Sequence, residues 1–191
     1  MRIVAGRFKG TALASPKSQA IRPTSDRTRE AVFNILAHGF KRDVVEGARV
    51  LDLFAGSGAL GLEALSRGAA FCVFVDEGAE ARGLIRQNIE KTRATGITKV
   101  FRRDAAKLGE AGRIQPFDLV FLDPPYGKGL GEKALSSALK GGWLAEDALL
   151  VLEEAVGADI AQLEGFEALD RRTFGDTQVV FFQAANPVSG R

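Results

Sequence analysis

The most constraining feature of this chain is an alternation of short apolar strands and amphipathic helices that begins near residue 47. The pattern predicts strands at 49–53, 71–76, 99–103, 117–122 and 148–153, and helices at 58–67 and 79–94. Continuous apolar strands separated by amphipathic helices are typical of a parallel sheet that helices cover on both faces. We therefore expect an α/β fold.

The last third of the chain follows a different pattern. Residues 167–173 and 177–183 predict two further strands, and the turn Phe174-Gly175-Asp176 between them suits a hairpin. The predicted fold is a doubly wound, mostly parallel seven-stranded sheet with an antiparallel C-terminal hairpin. Sheets of this kind bind their ligands beyond the carboxyl ends of the strands.

Charge is unevenly distributed along the chain. The first 30 residues carry seven basic and two acidic side chains, whereas the other 161 carry 19 basic and 22 acidic ones. A basic segment on a mildly acidic body indicates a polyanionic partner. We expect a basic arm at residues 1–24, with a small hairpin formed by residues 2–8 and 11–14, and a main domain at residues 25–191. In that domain, Ser25 or Asp26 caps a helix that runs to about His38.

A glycine-rich loop follows the first predicted strand. Gly56, Gly58 and Gly61 form a G-x-G-x-x-G motif, and Asp76 ends the next strand. Taken alone, this spacing matches the fingerprint of dinucleotide-binding proteins. A pyrophosphate would, however, bring two negative charges close to Asp52. S-adenosylmethionine presents an ammonium and a sulfonium instead, so the acid at position 52 favours S-adenosylmethionine as the cofactor.

The remaining cofactor contacts are predicted from the strand ends. The glycines allow the backbone to approach the ligand closely, Asp76 suits the ribose hydroxyls, and Asp104 can accept from the adenine amine, although it can equally cap a turn. The predicted cofactor-binding residues are Asp52, Phe54, Ala55, Gly56, Ser57, Gly58, Asp76, Asp104 and Ala105.

A second motif, Asp123-Pro124-Pro125-Tyr126, follows the strand at 117–122. The two prolines end the strand and fix a rigid, extended turn. Asp123 and the carbonyl of Pro124 can accept the two hydrogens of an exocyclic amine, and Tyr126 can stack on a base. All four residues are predicted as catalytic, and the turn indicates methylation of an amine.

Together the two motifs resemble those of amino-directed, Rossmann-like methyltransferases. The stretches 2–10 and 22–36 narrow the resemblance to the bacterial 16S rRNA guanine-N2 methyltransferase family (RsmD), over residues 1 to about 183. This resemblance implies transfer of a methyl group from S-adenosylmethionine to N2 of guanine 966 of 16S rRNA, in the small subunit or an assembly intermediate. Relatives often have Phe in place of Tyr126, and either ring can stack.

The same resemblance places Thr24, Arg27 and Arg29 over the mouth of the active site. With the charge pattern, it predicts RNA contacts by Arg2, Arg7, Lys9, Arg22, Arg27 and Arg29. Two other classes of function stay open. One is the same chemistry on adenine N6 or on a protein amide, and the other is a non-catalytic RNA-binding assembly factor on the same scaffold.

Composition sets the remaining expectations. The chain has one cysteine and one histidine, which excludes a disulfide framework and a Cys/His zinc cluster. The apolar runs are too short to cross a bilayer, and the N-terminus has no apolar signal segment. We expect a cytoplasmic monomer without a metal or a membrane partner.

Overall fold

The computed structural model describes residues 1–16, 25–160 and 162–185. Within these residues the chain forms seven strands, and helices or 3-10 turns separate the first five of them. The helices are α1 (Asp26–His38), α2 (Ala59–Ser66), α3 (Ala79–Lys91) and α4 (Leu130–Lys140), and single 3-10 turns lie at Thr95–Ile97 and Ala105–Lys107. The strands are β1 (Arg49–Leu53), β2 (Phe71–Val75), β3 (Thr98–Phe101), β4 (Phe117–Leu122), β5 (Leu144–Ala155), β6 (Phe166–Phe174) and β7 (Thr177–Ala184).

The strands form one sheet in the order β3-β2-β1-β4-β5-β7-β6. The first five are parallel, whereas β7 runs antiparallel to both β5 and β6. This confirms the predicted doubly wound sheet with its antiparallel C-terminal hairpin. The chain moves outward from β1 to β3 and then returns to β4 on the other side of β1, so the carboxyl ends of β1 and β4 border the topological switch point.

Both faces of the central strands are buried because their alternate side chains enter different apolar clusters. Val50 packs with α1, α2 and α3 on one face, whereas Leu51 and Leu53 pack with α4 and Trp143 on the other. This explains the unbroken apolar sequence of the central strands. Ser25 caps α1 by accepting from the N–H of Thr28 at 3.1 Å, as predicted.

Two features differ from the expected pattern. The helix α4 is not among the predicted helices, because its buried residues include the small side chains of Gly131, Ala134 and Ala138, which give a weak apolar signal. The strand β5 begins at Leu144, four residues earlier than predicted, and its pairing with β4 shifts register between Phe117 and Leu119.

The N-terminal residues pair over a shorter stretch than the two expected strands at 2–8 and 11–14. Arg2 and Ala12 make a single antiparallel bridge. The N–H of Ile3 donates to the Thr11 carbonyl at 3.0 Å, and that of Gly10 donates to the Ile3 carbonyl at 2.9 Å, so the two arms pair over a short stretch. The tip of the segment bonds to α2 instead: the N–H of Arg7 donates to the Ser66 carbonyl at 2.8 Å, and that of Phe8 donates to Ser66 Oγ at 2.9 Å. Polar groups of α2 therefore shape this segment.

None of the helices in the described part of the chain is long and apolar enough to cross a membrane.

Candidate active site

Two adjoining cavities lie over the carboxyl ends of the parallel strands. One, of about 70 Å³, is lined at one end by the glycine loop after β1 and at another by Asp123 after β4. The other, of about 100 Å³, lies over β2 and β3 and is lined by Asp76, Asp104 and Ala105. Phe54 lines both cavities. Of the predicted cofactor-binding residues, all except Gly58 line one or the other.

Asp52 is the buried acid of the smaller cavity. Its side chain Oδ2 accepts a hydrogen bond of 2.9 Å from the N–H of Gly61, and the residue is 1% exposed. Burial, together with the nearby charge of Asp76, raises the pKa of Asp52 to about 8. A cation bound in this cavity would stabilise the carboxylate form.

The glycine loop owes its shape to left-handed backbone conformations. Phe54, Gly56 and Gly58 have φ values of 56°, 57° and 78°. Phe54 is the informative one, because a bulky residue rarely adopts a positive φ and such strain is concentrated at functional sites. Gly58 is the N-cap of α2, and its N–H donates to the Ala55 carbonyl at 2.7 Å. It shapes the loop without lining either cavity.

Asp76 and Asp104 both use their carboxylates to hold the backbone. Asp76 accepts from the N–H of Gly56 at 3.0 Å and from that of Gly78 at 2.8 Å. It thereby ties the glycine loop to the end of β2. Asp104 caps the following 3-10 turn by accepting from the N–H of Ala106 at 2.8 Å. Because each carboxylate oxygen has two lone pairs, both residues can also accept from a ligand.

The four residues of the proline turn are placed differently from one another. Asp123 lines the smaller cavity together with the glycine loop. Pro124 is buried, Pro125 is exposed, and Tyr126 is 37% exposed. These last three residues do not line the two cavities. The Tyr126 hydroxyl lies 2.6 Å from Glu153 Oε1 and 3.2 Å from Thr177 Oγ1.

Two buried acids beside this turn were not predicted. Glu153 and Glu154, near the end of β5, are 7% and 5% exposed. Glu154 accepts from the N–H of Gly127 at 3.1 Å, so consecutive residues of β5 hold consecutive residues of the turn. The signal for them is the pair of acids that directly follows the apolar run 148–152 at the ligand-binding edge of the sheet.

The prediction that Arg29 contacts RNA is wrong for this structure. Its side chain is fully buried, and Nη2 donates to Asp26 Oδ1 at 2.8 Å and to the carbonyl of Arg2. Nε lies 3.5 Å from Glu63 Oε2, which is also fully buried. The local pattern of acids draws this guanidinium inward, where it lines the smaller cavity.

The other predicted RNA contacts fall into two groups. Arg2, Arg7, Lys9 and Arg27 are exposed. Arg22 and Thr24 lie outside the described residues. Near the exposed group, α2 anchors the N-terminal residues 1–14: Glu63 accepts from the N–H groups of Val4 at 2.9 Å and Ala5 at 3.0 Å.

Comparison with known proteins gives a family that covers nearly the whole chain. The family model described as "Conserved hypothetical protein 95" matches residues 1–183. The ribosomal RNA small subunit methyltransferase D of Escherichia coli K12 is 38% identical, over 82% of this chain and 75% of the relative. The protein of the same name from Haemophilus influenzae is 31% identical, over 96% of this chain and 93% of the relative.

Solved structures agree with this match. The yhhF protein of Escherichia coli is 33% identical, with a TM-score of 0.81 over 97% of this chain and 98% of that one. The HI0767 protein of Haemophilus influenzae is 29% identical, with a TM-score of 0.77 over 97% and 98%. The chain therefore belongs to the conserved hypothetical protein 95 family, the family of the ribosomal RNA small subunit methyltransferases D.

Proposed function

We propose that this chain is an S-adenosylmethionine-dependent rRNA methyltransferase that methylates N2 of a guanine in 16S rRNA, at nucleotide 966, in the small subunit or an assembly intermediate. The names of its relatives support rRNA as the substrate. The observation that carries the proposal is the position of Asp123, which lines the same cavity as Asp52 and the glycine loop. An acceptor for the target amine and a site for a cationic cofactor are thus adjacent.

The cofactor residues fit S-adenosylmethionine by their chemistry. Asp52 would face its positively charged methionine part, and Asp76 and Asp104 would accept from the ribose and the adenine. Buried Arg29 adds a cation to the wall of the same cavity, and its Nη1 has no hydrogen-bond partner among the described residues. A carboxylate is the natural partner for such a group, so we assign to Arg29 the carboxylate of the methionine part.

The chain contributes positioning and a proton acceptor. S-adenosylmethionine, when bound, supplies an electrophilic methyl group. Asp123 and the carbonyl of Pro124 accept the two amine hydrogens, which turns the nitrogen lone pair toward the cofactor site. The nitrogen is cationic once it is methylated and loses its proton readily, so Asp123 need only receive that proton or pass it to water. Tyr126 stacks on the base, which must be unstacked from its neighbours to enter.

The exposed basic residues provide the contacts to the RNA backbone. Arg2, Arg7, Lys9 and Arg27 lie on the N-terminal segment and the first turn of α1. They would hold phosphates that flank the target nucleotide, and such contacts carry no base specificity.

The test is methylation of small subunits isolated from cells that lack this activity, with radiolabelled S-adenosylmethionine. We expect N2-methylguanosine in 16S rRNA with the wild-type protein and none with Asp123→Ala. The matched control is Asp118→Ala, an exposed acid at the other end of the same strand, which should leave activity unchanged. N6-methyladenosine, or label in a protein, would overturn the guanine assignment. Cofactor binding without transfer to any of these particles would favour a non-catalytic assembly factor.

A further inference from the structure

Two consecutive carboxylates of β5 hold the turn that carries the proposed chemistry. The Tyr126 hydroxyl donates to Glu153 Oε1 at 2.6 Å, and the N–H of Gly127 donates to Glu154 Oε1 at 3.1 Å. Both glutamates are more than nine-tenths buried. The turn is therefore fixed by its prolines at one end and by β5 at the other.

The hydrogen bond between the Tyr126 hydroxyl and the Glu153 carboxylate is a strong one. A hydroxyl that donates to a carboxylate at 2.6 Å is a short, charge-assisted hydrogen bond. Burial, with this hydrogen bond, raises the pKa of the Tyr126 hydroxyl well above its usual value, so the hydroxyl stays a donor at every pH at which the protein would work. Thr177, at the start of β7, adds a second contact at 3.2 Å.

Burying a carboxylate costs free energy unless the carboxylate is hydrogen-bonded. Glu153 finds one such partner in the hydroxyl of Tyr126, a residue that is itself 37% exposed. The tip of Tyr126 is thereby fixed while much of the side chain faces solvent. A tyrosine held only by its Cβ could rotate about two side-chain torsions, and the bond to Glu153 removes that freedom.

We propose that Glu153 is a positioning residue, which acts through the Tyr126 hydroxyl to hold the ring where the target base stacks. This inference rests on the proposed function, because it assigns the stacking to Tyr126. It predicts that the hydroxyl and the carboxylate work as one unit. The opposite possibility is that RNA binding must break the bond, in which case removing it would improve activity.

The first test is a double-mutant cycle on kcat/KM for the small-subunit substrate. We expect Tyr126→Phe and Glu153→Leu, which removes the acceptor, each to reduce kcat/KM about fivefold, as befits the removal of one hydrogen bond, with an unchanged Kd for S-adenosylmethionine. The double variant should lose no more than either single one, because both changes remove the same interaction. Additive losses, unchanged kinetics or increased activity would each overturn the proposal. Tyr126→Ala, which removes the ring, should lose considerably more.

The second test does not depend on turnover. Tyr126 is the single tyrosine of the chain, so protein labelled with ¹³C at tyrosine Cζ gives one resonance from this site. We expect Glu153→Leu, which removes the acceptor, to shift that resonance and Glu154→Leu, the matched control, to leave it near its wild-type position. A resonance that is insensitive to Glu153→Leu would overturn the contact itself. If the wild-type protein failed to methylate rRNA, the proposed function would fall while this signal still reported on the bond.

Discussion

Asp52 accepts a buried hydrogen bond of 2.9 Å from the N–H of Gly61, which joins the carboxylate in β1 to the first turn of α2. This one hydrogen bond does not offset the cost of burying the charge, so the pKa of Asp52 stays raised to about 8. The unliganded protein therefore holds a proton on Asp52 at neutral pH, and a cationic ligand would displace it.

The first prediction concerns the pH dependence of stability. The unfolded chain releases the Asp52 proton near pH 4, whereas the folded protein retains it to about pH 8. Between these values the folded state binds more protons, so this group lowers the free energy of unfolding as pH rises, by up to about 1.4 kcal/mol per pH unit.

Asp52→Asn keeps an acceptor for Gly61 without the charge. We expect the variant to be more stable than wild type at pH 8.5 and similar to it at pH 4.5, as measured by urea unfolding.

The same substitution separates stability from binding. Asp52→Asn should weaken S-adenosylmethionine binding at least tenfold, since it removes a charge that faces a cation. Wild-type affinity should rise from pH 6 to 8.5, and the variant should lose that dependence. A stability difference that is constant with pH would mean that Asp52 is ionised throughout and would contradict the prediction.

A second prediction compares two helical glycines. A Cβ at Gly61 would lie 2.5 Å from the ring of Phe74 and 2.6 Å from Cys72 Sγ, whereas a Cβ at Gly83 in α3 would meet nothing within 4 Å. Gly61→Ala should therefore destabilise the protein by about 1–3 kcal/mol through overpacking. Gly83→Ala should stabilise it by about 0.5–1 kcal/mol through helix propensity. Equal effects in urea unfolding would refute the close approach of α2 to β2.

The third prediction concerns the buried charge pair. Arg29→Met would remove one of the two guanidiniums that pair with buried Glu63 and leave Arg67, whose Nε lies 2.8 Å from Glu63 Oε1. We expect a loss of about 1–3 kcal/mol. The control is Arg172→Met, because Arg172 pairs with Asp170 at 2.9 Å but is 56% exposed at its side chain. Pairs of that kind contribute about 0–1 kcal/mol. Chemical denaturation of both variants gives the comparison, and similar losses would contradict it.

A fourth prediction tests Arg29 as a cofactor residue with a milder change. Arg29→Lys keeps a cation beside Glu63 but loses the planar fork that matches a carboxylate. Wild-type protein should bind S-adenosylmethionine about tenfold more tightly than its decarboxylated analogue, and the variant should lose most of this preference. Calorimetric titration of the two ligands measures the ratio directly. A ratio that is the same in both proteins would show that the carboxylate is held elsewhere.

The fifth prediction concerns the RNA contacts of the N-terminal segment. Arg7→Gln with Lys9→Gln should weaken RNA binding and reduce the slope of log K against log salt by about 0.7–0.9 for each phosphate that the variant no longer neutralises. Lys140→Gln with Arg172→Gln removes the same charge from α4 and β6, and it should leave the slope unchanged. Fluorescence anisotropy with a labelled rRNA fragment at several salt concentrations provides the slopes.

Periodicity predicted the sheet and the helices α1 to α3 because these elements bury long apolar side chains at regular spacing. Periodicity did not predict the helix α4, because much of its buried face consists of alanines and Gly131, which give a weak apolar pattern. Gly131 packs so closely on Leu152 that a larger residue would clash there. Motif spacing located the three acids because Asp52 lies near the carboxyl end of β1, while Asp76 and Asp123 directly follow β2 and β4, and these strands end at one edge of the sheet.

The partners of these residues could not be read from the sequence. Arg29 looks like any other cation of a basic segment, and only the fold shows that Glu63 and Asp26 converge on it. Glu153 lies 27 positions from Tyr126 in sequence. Their contact depends on the pairing of β5 with β4 and on the local course of the turn, and no local pattern specifies either.

The anchoring of the N-terminal residues 1–14 on α2 limits how this segment could be exchanged for another. Gly6 packs so closely on Ser66 that a Cβ there would lie 1.9 Å from the Ser66 carbonyl oxygen, and Glu63 holds the two preceding N–H groups. A replacement segment that lacked these contacts would thus leave buried Glu63 without its two backbone donors. The segment would have to be exchanged together with the α2 residues that it contacts. That helix begins at the end of the glycine loop. Grafting a different N-terminal segment would accordingly also disturb the loop that borders the proposed cofactor site.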